Sequence, residues 1–293
     1  MAARHTATLA WLFAALCLFA TSPRAQAEEP LLLLCSIRPL QLIAAEIGGE
    51  EFEVRALASA SASPHAFVLR PSERRELSDA RLFLWMGAAL ERPLEQLLQR
   101  QPPRAVLALL PAIGPEGVDP HVWLDPRAAV SMARAMASAI VRETGAAQQT
   151  LDARLAAFEA SMRVREAQTA ALLEPLRATP FLAMHDGYRG FVARYGLRQV
   201  AALPGDHGHQ PGARSLASMR RVAHETGAVC LLRQAGDSAA LARSIARDAG
   251  LRIVEVDPLA ARAADFDPFL ATFAADVARC LTDGPEKRGT LSS

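Results

Sequence analysis

The sequence predicts an α/β fold of two lobes, each a parallel sheet flanked by helices, joined by one long spine helix. Three observations predict it. Short apolar runs alternate with amphipathic helical stretches, the pattern of parallel strands with crossover helices. The alternation stops in the middle for one long stretch without Gly or Pro. It then restarts with the same rhythm. The expected division is residues 28–145 for the first lobe, 146–176 for the linking helix and 177–283 for the second lobe.

In chain order, "LLLLCSI" (31–37) is a continuous apolar run ending in a polar residue and Pro39, as a strand buried on both faces reads. Residues 39–48 read as a helix stopped by Gly48-Gly49, and "FEVRAL" (52–57) alternates as a strand. After the loop "ASASASPHAF", a helix is expected over 72–79, with Ser72 as N-cap and acids near its start, where the helix dipole favours them. "LFLWM" (82–86) and "AVLAL" (105–109) are further strands, with a helix between them. Pro126 opens a helix through about Glu143. The next helix, from about Ala147 to Leu173, carries a stripe at Leu151, Leu155, Phe158 and Met162. Roughly 27 helical residues span ~40 Å, more than one small lobe needs.

The second half repeats the alternation. Strands are expected at 181–184, 198–202, 229–232 and 252–256, and helices at 188–195, 215–226, 237–249 and 268–281. The loop over 204–212 is rich in Gly and Pro. The tail over 284–293 is polar and expected to be disordered.

Residues 1–27 read as a secretory signal peptide. Arg4 and His5 give a basic start, "TATLAWLFAALCLF" is an apolar run of the right length, and Ala25-Gln26-Ala27 is an A-x-A cleavage site. The run is too short for a membrane span. Leu16 before Cys17 argues against a lipoprotein anchor, because that site wants a small residue. A soluble periplasmic protein is expected. Cleavage removes Arg4 and Arg24 from the 32 Lys and Arg residues and none of the 31 acids, so the mature charge is about −1. Nothing in that balance calls for nucleic acid or an anionic membrane. Three cysteines remain, and in an oxidising compartment two are expected to pair. Cys230 lies in a strand and Cys280 in the last helical turn, so the favoured pairing is Cys230–Cys280, worth about 3–4 kcal/mol by loop entropy. Cys35 reads as a small core residue.

Of the seven histidines, His5 leaves with the leader and His224 reads as a surface residue. The other five fall in loops or at strand ends, where α/β folds build sites. His65 follows "FEVRAL", His121 follows Asp119-Pro120, and His185 follows the strand "FLAM". Three imidazoles with an open position suit zinc. The spacing alone is too long to be diagnostic, and three loop histidines bonded to backbone is the competing reading.

The local sequences decide between them. "ASPHAFVLRPS", "DPHVWLDP" and "MHDGYRGF", in this order behind a leader and with a long helix before the third, resemble the solute-binding proteins of bacterial zinc and manganese ABC transporters. The zinc-specific branch is the nearer match, and "QPGARSL", "VDPLA" and the cysteine pair agree with it. The resemblance spans essentially the whole mature chain. It implies that His65, His121 and His185 bind Zn2+, with Mn2+ less suited, in a cleft to which both lobes contribute. Asp257 is a candidate fourth ligand; its alternative role is a strand-end aspartate capping the next turn. Pro64, Pro120 and Asp186 would orient the ligands. The implied function is high-affinity zinc capture and delivery to an ABC permease of the inner membrane. The protein would act as a monomer, without enzymatic activity, and a metallochaperone is a further candidate partner. With a stiff spine, small loop changes near His121 or His207 are expected instead of a wide hinge.

The sequence also departs from that family. The segment "PAIGPEGVDPH" lacks the His-rich loop common before the second ligand. Gly208 and Arg233 stand where many relatives carry glutamate. "GDHGHQPG" places His207 and His209 beside Asp206, a candidate auxiliary metal site that would pass zinc to the cleft; two solvated histidines is the plainer reading. Competing functions are a three-His zinc hydrolase, a manganese or iron binder, and a binder of a larger chelate. The hydrolase lacks an obvious general base. The chelate binder is disfavoured by an aromatic content of 5%.

Overall fold

A computed structural model describes residues 30–57, 64–66, 69–114, 119–203 and 212–282. The expected leader, the tail after 283 and the His207/His209 pair lie outside these residues. In chain order the elements are β1 (Leu31–Cys35), α1 (Arg38–Gly48), β2 (Phe52–Ala56), α2 (Pro71–Asp79), β3 (Leu82–Trp85), α3 (Arg92–Arg100), β4 (Val106–Ala108), α4 (Leu109–Ile113) and α5 (Pro126–Thr144). There follow α6 (Gln148–Leu173), β5 (Pro180–Ala183), α7 (Arg189–Tyr195), β6 (Arg198–Ala202), α8 (Ala213–Thr226), β7 (Cys230–Gln234), α9 (Ala239–Ala249), β8 (Arg252–Val256) and α10 (Phe266–Thr282).

The strands form two four-stranded parallel sheets, ordered β2-β1-β3-β4 and β6-β5-β7-β8. Both orders reverse direction beside their first strand. That leaves a crevice at the carboxyl ends of β1 and β3 in one sheet, and of β5 and β7 in the other. Strand β3 is buried completely and β1 over its last three residues, which explains their unbroken apolar runs.

Helix boundaries follow local chemistry. Helix α5 starts where Asp125 accepts the Arg127 N–H at 2.9 Å and ends at Gly145 with φ 73°. Helix α2 begins one residue earlier than expected. Pro71 takes the first helical position, and Glu73 reaches back to accept the Arg70 N–H at 2.7 Å, so Ser72 is not the cap. The expected strand over 105–109 stops at Ala108, where Leu109 starts a short helix.

The spine is α6, 26 residues without Gly or Pro. It buries Leu151, Phe158 and Met162 and packs against α5, α1 and α10. Arg154 donates to the Gly48 carbonyl at 2.6 Å, and Arg165 pairs with Asp267 at 2.7 Å, so the helix grips elements beside both sheets. The two lobes are also fastened directly. Glu46 on α1 accepts the Phe266 N–H at 3.0 Å, capping α10 from the other lobe, and Arg194 on α7 pairs with Asp125 at 2.6 Å. Cys230 and Cys280 form a disulfide tying β7 to α10, and Cys35 is a buried free thiol in β1. Among the described residues, no helix is long and apolar enough to cross a membrane.

Candidate metal centre

Three loops at the carboxyl edges of the sheets converge on one point. His65 sits in a 3-10 turn, Pro64–Ala66, beyond β2. His121 directly precedes the 3-10 turn Val122–Leu124 that leads into α5. His185 lies two residues past β5, at the crevice of the second sheet. The His65 and His121 Nε2 atoms are 3.3 Å apart, and so are those of His185 and His121. One ligand atom from each of the three lies within 4.8 Å of the others. His121 and His185 are only 9% and 7% exposed, while His65 is half-buried.

The chemistry of this trio favours a cation. His121 Nδ1 lies 2.8 Å from Asp119 Oδ1. A carboxylate there accepts the Nδ1–H, which leaves the Nε2 lone pair facing the other two rings. Neutral His65 and His185 rings that turn their Nε2 lone pairs the same way would share one electron-pair acceptor with it. Four ligands placed tetrahedrally at the usual Zn–N length of ~2.0–2.1 Å have edges of roughly 3.3–3.4 Å. Both Nε2 separations match that edge.

Asp119 is the residue that sequence reasoning missed. Its carboxylate also accepts the His121 N–H at 3.2 Å, and its other oxygen accepts the Gly190 N–H at 3.4 Å from the segment following His185. Burial pushes the Asp119 carboxyl up, but the hydrogen bond and charge of His121, with the two backbone N–H groups, outweigh it and hold the group below its ordinary value. The signal lay in the "DPH" spacing, which lets an aspartate two residues before a histidine fold back on both its backbone and its ring.

Asp186 was the carboxylate singled out for orienting the ligands. Its oxygens accept from Arg189 and from Gln199, the latter at 3.2 Å. Gly187 matters for a different reason: a Cβ at this position would lie 2.6 Å from His185 Cδ2 and 3.3 Å from His121 Cδ2. The backbone runs against the rings, and only the absence of a side chain makes room. Trp123 is fully buried with its ring 5.4 Å from that of His121, and its Nε1–H donates to the Pro258 carbonyl at 2.8 Å. Asp257 is not part of the three-histidine group. Its carboxylate accepts the Arg262 N–H at 3.3 Å and lines a separate cavity with Glu255 and Asp276. Arg233 finds its partner in Glu255 on the neighbouring strand.

The model of the family described as ZnuA, zinc-uptake complex component A, periplasmic, matches residues 33–279. The chain belongs to this family. Among curated members of the ZnuA family, the high-affinity zinc uptake system protein ZnuA of Yersinia pestis is 28% identical over 264 residues, covering 78% of this chain and 82% of that protein. The protein of the same name from Haemophilus ducreyi is 24% identical over 288 residues, covering 85% and 93%. A crystal structure of ZnuA superposes with a TM-score of 0.78 at 25% identity, covering 87% of this chain and all of the other. The ZnuA family fold therefore agrees with the two-lobed α/β architecture described above.

Proposed function

We propose that the protein captures Zn2+ in the periplasm through His65, His121 and His185 and hands it to an ABC permease. The observation that carries this reading is the convergence of three Nε2 atoms with two separations of 3.3 Å, the edge of a zinc tetrahedron. Family membership and the names of the relatives support the same cargo. Three imidazoles favour zinc over manganese, which prefers oxygen donors. The fourth position is left to solvent, and His207/His209 remain a proposed delivery site. The secretory leader read in residues 1–27 fits a periplasmic location.

Asp119 fixes the tautomer of His121, and Gly187 leaves room for His185. The lobes are already fastened by Glu46, Arg165 and Arg194, so capture needs no wide closure. Bound zinc would add its own link between the His65/His121 side and the His185 side, stabilising the protein by mass action. A hydrolytic role would need a carboxylate free to take a proton from metal-bound water. Asp119, the carboxylate bonded to His121, is already committed to that ring and to Gly190.

The test is metal analysis of the purified protein, followed by zinc titration of His65→Ala, His121→Ala and His185→Ala. One tightly held zinc per chain is expected, with each substitution weakening it strongly. Wild-type affinity in all three variants would end this reading.

A further inference from the structure

We propose that Asp125 and Arg194 are positioning residues of the metal centre, their ion pair fixing the gap between His121 and His185 before the metal arrives. The proposal rests on the reading of the three histidines as a zinc site.

His121 and Asp125 belong to one stiff piece of chain. The 3-10 turn Val122–Leu124 joins them, and all three of its residues are buried. The Asp125 N–H closes the turn on the Val122 carbonyl at 3.0 Å. Asp125 then caps α5 by accepting the Arg127 N–H, so it cannot shift without disturbing the start of that helix. His185 and Arg194 belong to a second piece. His185 leads into α7, which starts at Arg189 and is anchored by its buried Phe191 and Tyr195 rings. The Phe191 ring meets Phe273 of α10 edge-on, with centroids 5.1 Å apart. Helix α7 also packs against the 3-10 turn of the first piece.

Asp119 and Asp125 both reach across to this second piece. The Asp119 carboxylate accepts the Gly190 N–H, but at 3.4 Å that bond is long. The Arg194 fork is the stronger link. Its Nε lies 3.0 Å from each Asp125 carboxylate oxygen, and its Nη2 lies 2.6 Å from Oδ2. A two-pronged bond of this kind fixes orientation as well as distance. The Arg194 and Asp125 side chains are only 27% and 13% exposed, so the pair is less screened than one on the open surface. The spine braces it, because Arg127 pairs with Glu166 of α6 at 2.7 Å. Of the two 3.3 Å spacings in the trio, that of His121 and His185 is the one that joins the two pieces. Holding it in the metal-free protein lowers the ordering that binding would otherwise require.

The experiment measures zinc affinity by competition with a chromophoric chelator, and the visible spectrum of bound Co2+ as a probe of site geometry. The proteins are wild type, Asp125→Asn, Arg194→Met, the double variant and Arg165→Met. Asn keeps an oxygen to cap α5 but no charge for Arg194. Each of the two single variants should weaken zinc by about tenfold, in the range of supporting-residue effects on metal sites, and should change the Co2+ bands. The double variant should lose no more than the weaker-binding single variant, because one shared contact is removed. Arg165→Met is the control. Its partner Asp267, at 2.7 Å, ties the spine to α10, and neither residue lies on a ligand segment. Its stability should fall while its zinc affinity and Co2+ bands stay as in wild type. Wild-type zinc affinity in either Asp125→Asn or Arg194→Met overturns the proposal, even if the variant is less stable. Losses that add in the double variant overturn it, and so does an equal loss in Arg165→Met, which would make general loosening the cause. If Arg194→Met fails to fold, Asp125→Asn against Arg165→Met decides by the same outcomes. A wild-type protein that binds no zinc overturns the zinc reading itself, whatever Arg194 does.

Discussion

Replacing Glu91 with Gln should remove a pH dependence of stability that the structure builds into the first lobe. Glu91 is completely buried, and one carboxylate oxygen accepts the Met86 N–H at 2.8 Å. Burial pushes its carboxyl from 4.5 up to about 7, with the Ser36 hydroxyl and the Met86 and Gly87 N–H groups holding it back. The folded state therefore keeps a proton that the unfolded chain gives up between those two values. This contribution to stability is fully present below the unfolded value of 4.5 and is lost as pH rises through about 7. The whole shift corresponds to about 3 kcal/mol, of which about 2.5 kcal/mol falls between pH 5 and pH 8. Gln carries no charge and can still accept from Met86. The difference in stability between Glu91→Gln and wild type should therefore grow by about 2.5 kcal/mol over that interval, or roughly 5–10 °C in melting temperature. Urea unfolding of the metal-free protein at both pH values measures it, since the pairwise difference cancels every other titrating group. Parallel stability profiles for the two proteins would refute the reasoning.

Other substitutions probe the remaining parts. Asp119→Asn should weaken zinc binding by about 10–100-fold, because the His121 tautomer is no longer imposed; competition with a chelator measures this, and unchanged affinity would remove Asp119 from the site. Gly187→Val should weaken zinc on the order of tenfold by displacing His185, while the metal-free protein keeps its circular dichroism spectrum; wild-type affinity would show that the loop gives way more easily than the 2.6 Å approach implies. Replacing Cys230 and Cys280 together by Ser opens a loop with a sequence separation of 50 and should cost about 4 kcal/mol in the loop-entropy model, read as a lower urea midpoint that reduction of the wild type reproduces.

Local pattern carried most of the fold. The strands Arg198–Ala202 and Arg252–Val256 begin and end where their composition says, because Gly196 closes the helix before one and Gly250 the helix before the other. The start of α2 was misplaced because two capping signals overlapped: Ser72 suits an N-cap, but Pro71 before it suits the first helical turn and Glu73 supplies the return bond. The three histidines were legible only together with their flanking motifs. What surrounds them was not. Adjacency pointed to Asp186, which accepts from Arg189 and Gln199, and left Asp119, the partner of His121, unmarked. The contacts of Trp123 with Pro258 and of Arg38 with Ala260 join residues 135 and 222 positions apart. Nothing local in either partner marks such a bond, because both donors have several plausible uses.

The two sheets also raise a common question, because each has a crevice at the carboxyl ends of its central strands, where α/β proteins ordinarily bind ligands. The second sheet uses its crevice, since His185 leaves β5 there. In the first sheet, among the described residues, Glu91 takes that place. Ser36 follows β1 and donates its N–H to the Leu84 carbonyl of β3, and Met86 just beyond β3 donates to Glu91, so the carboxyl fills the space between these strand ends. The first lobe instead sends His65 and His121 outward on loops to meet His185. A buried carboxyl is costly when ionised, but neutral it still accepts the Met86 N–H. On this argument the pH dependence assigned to Glu91 is a consequence of placing a buried carboxyl between the ends of β1 and β3.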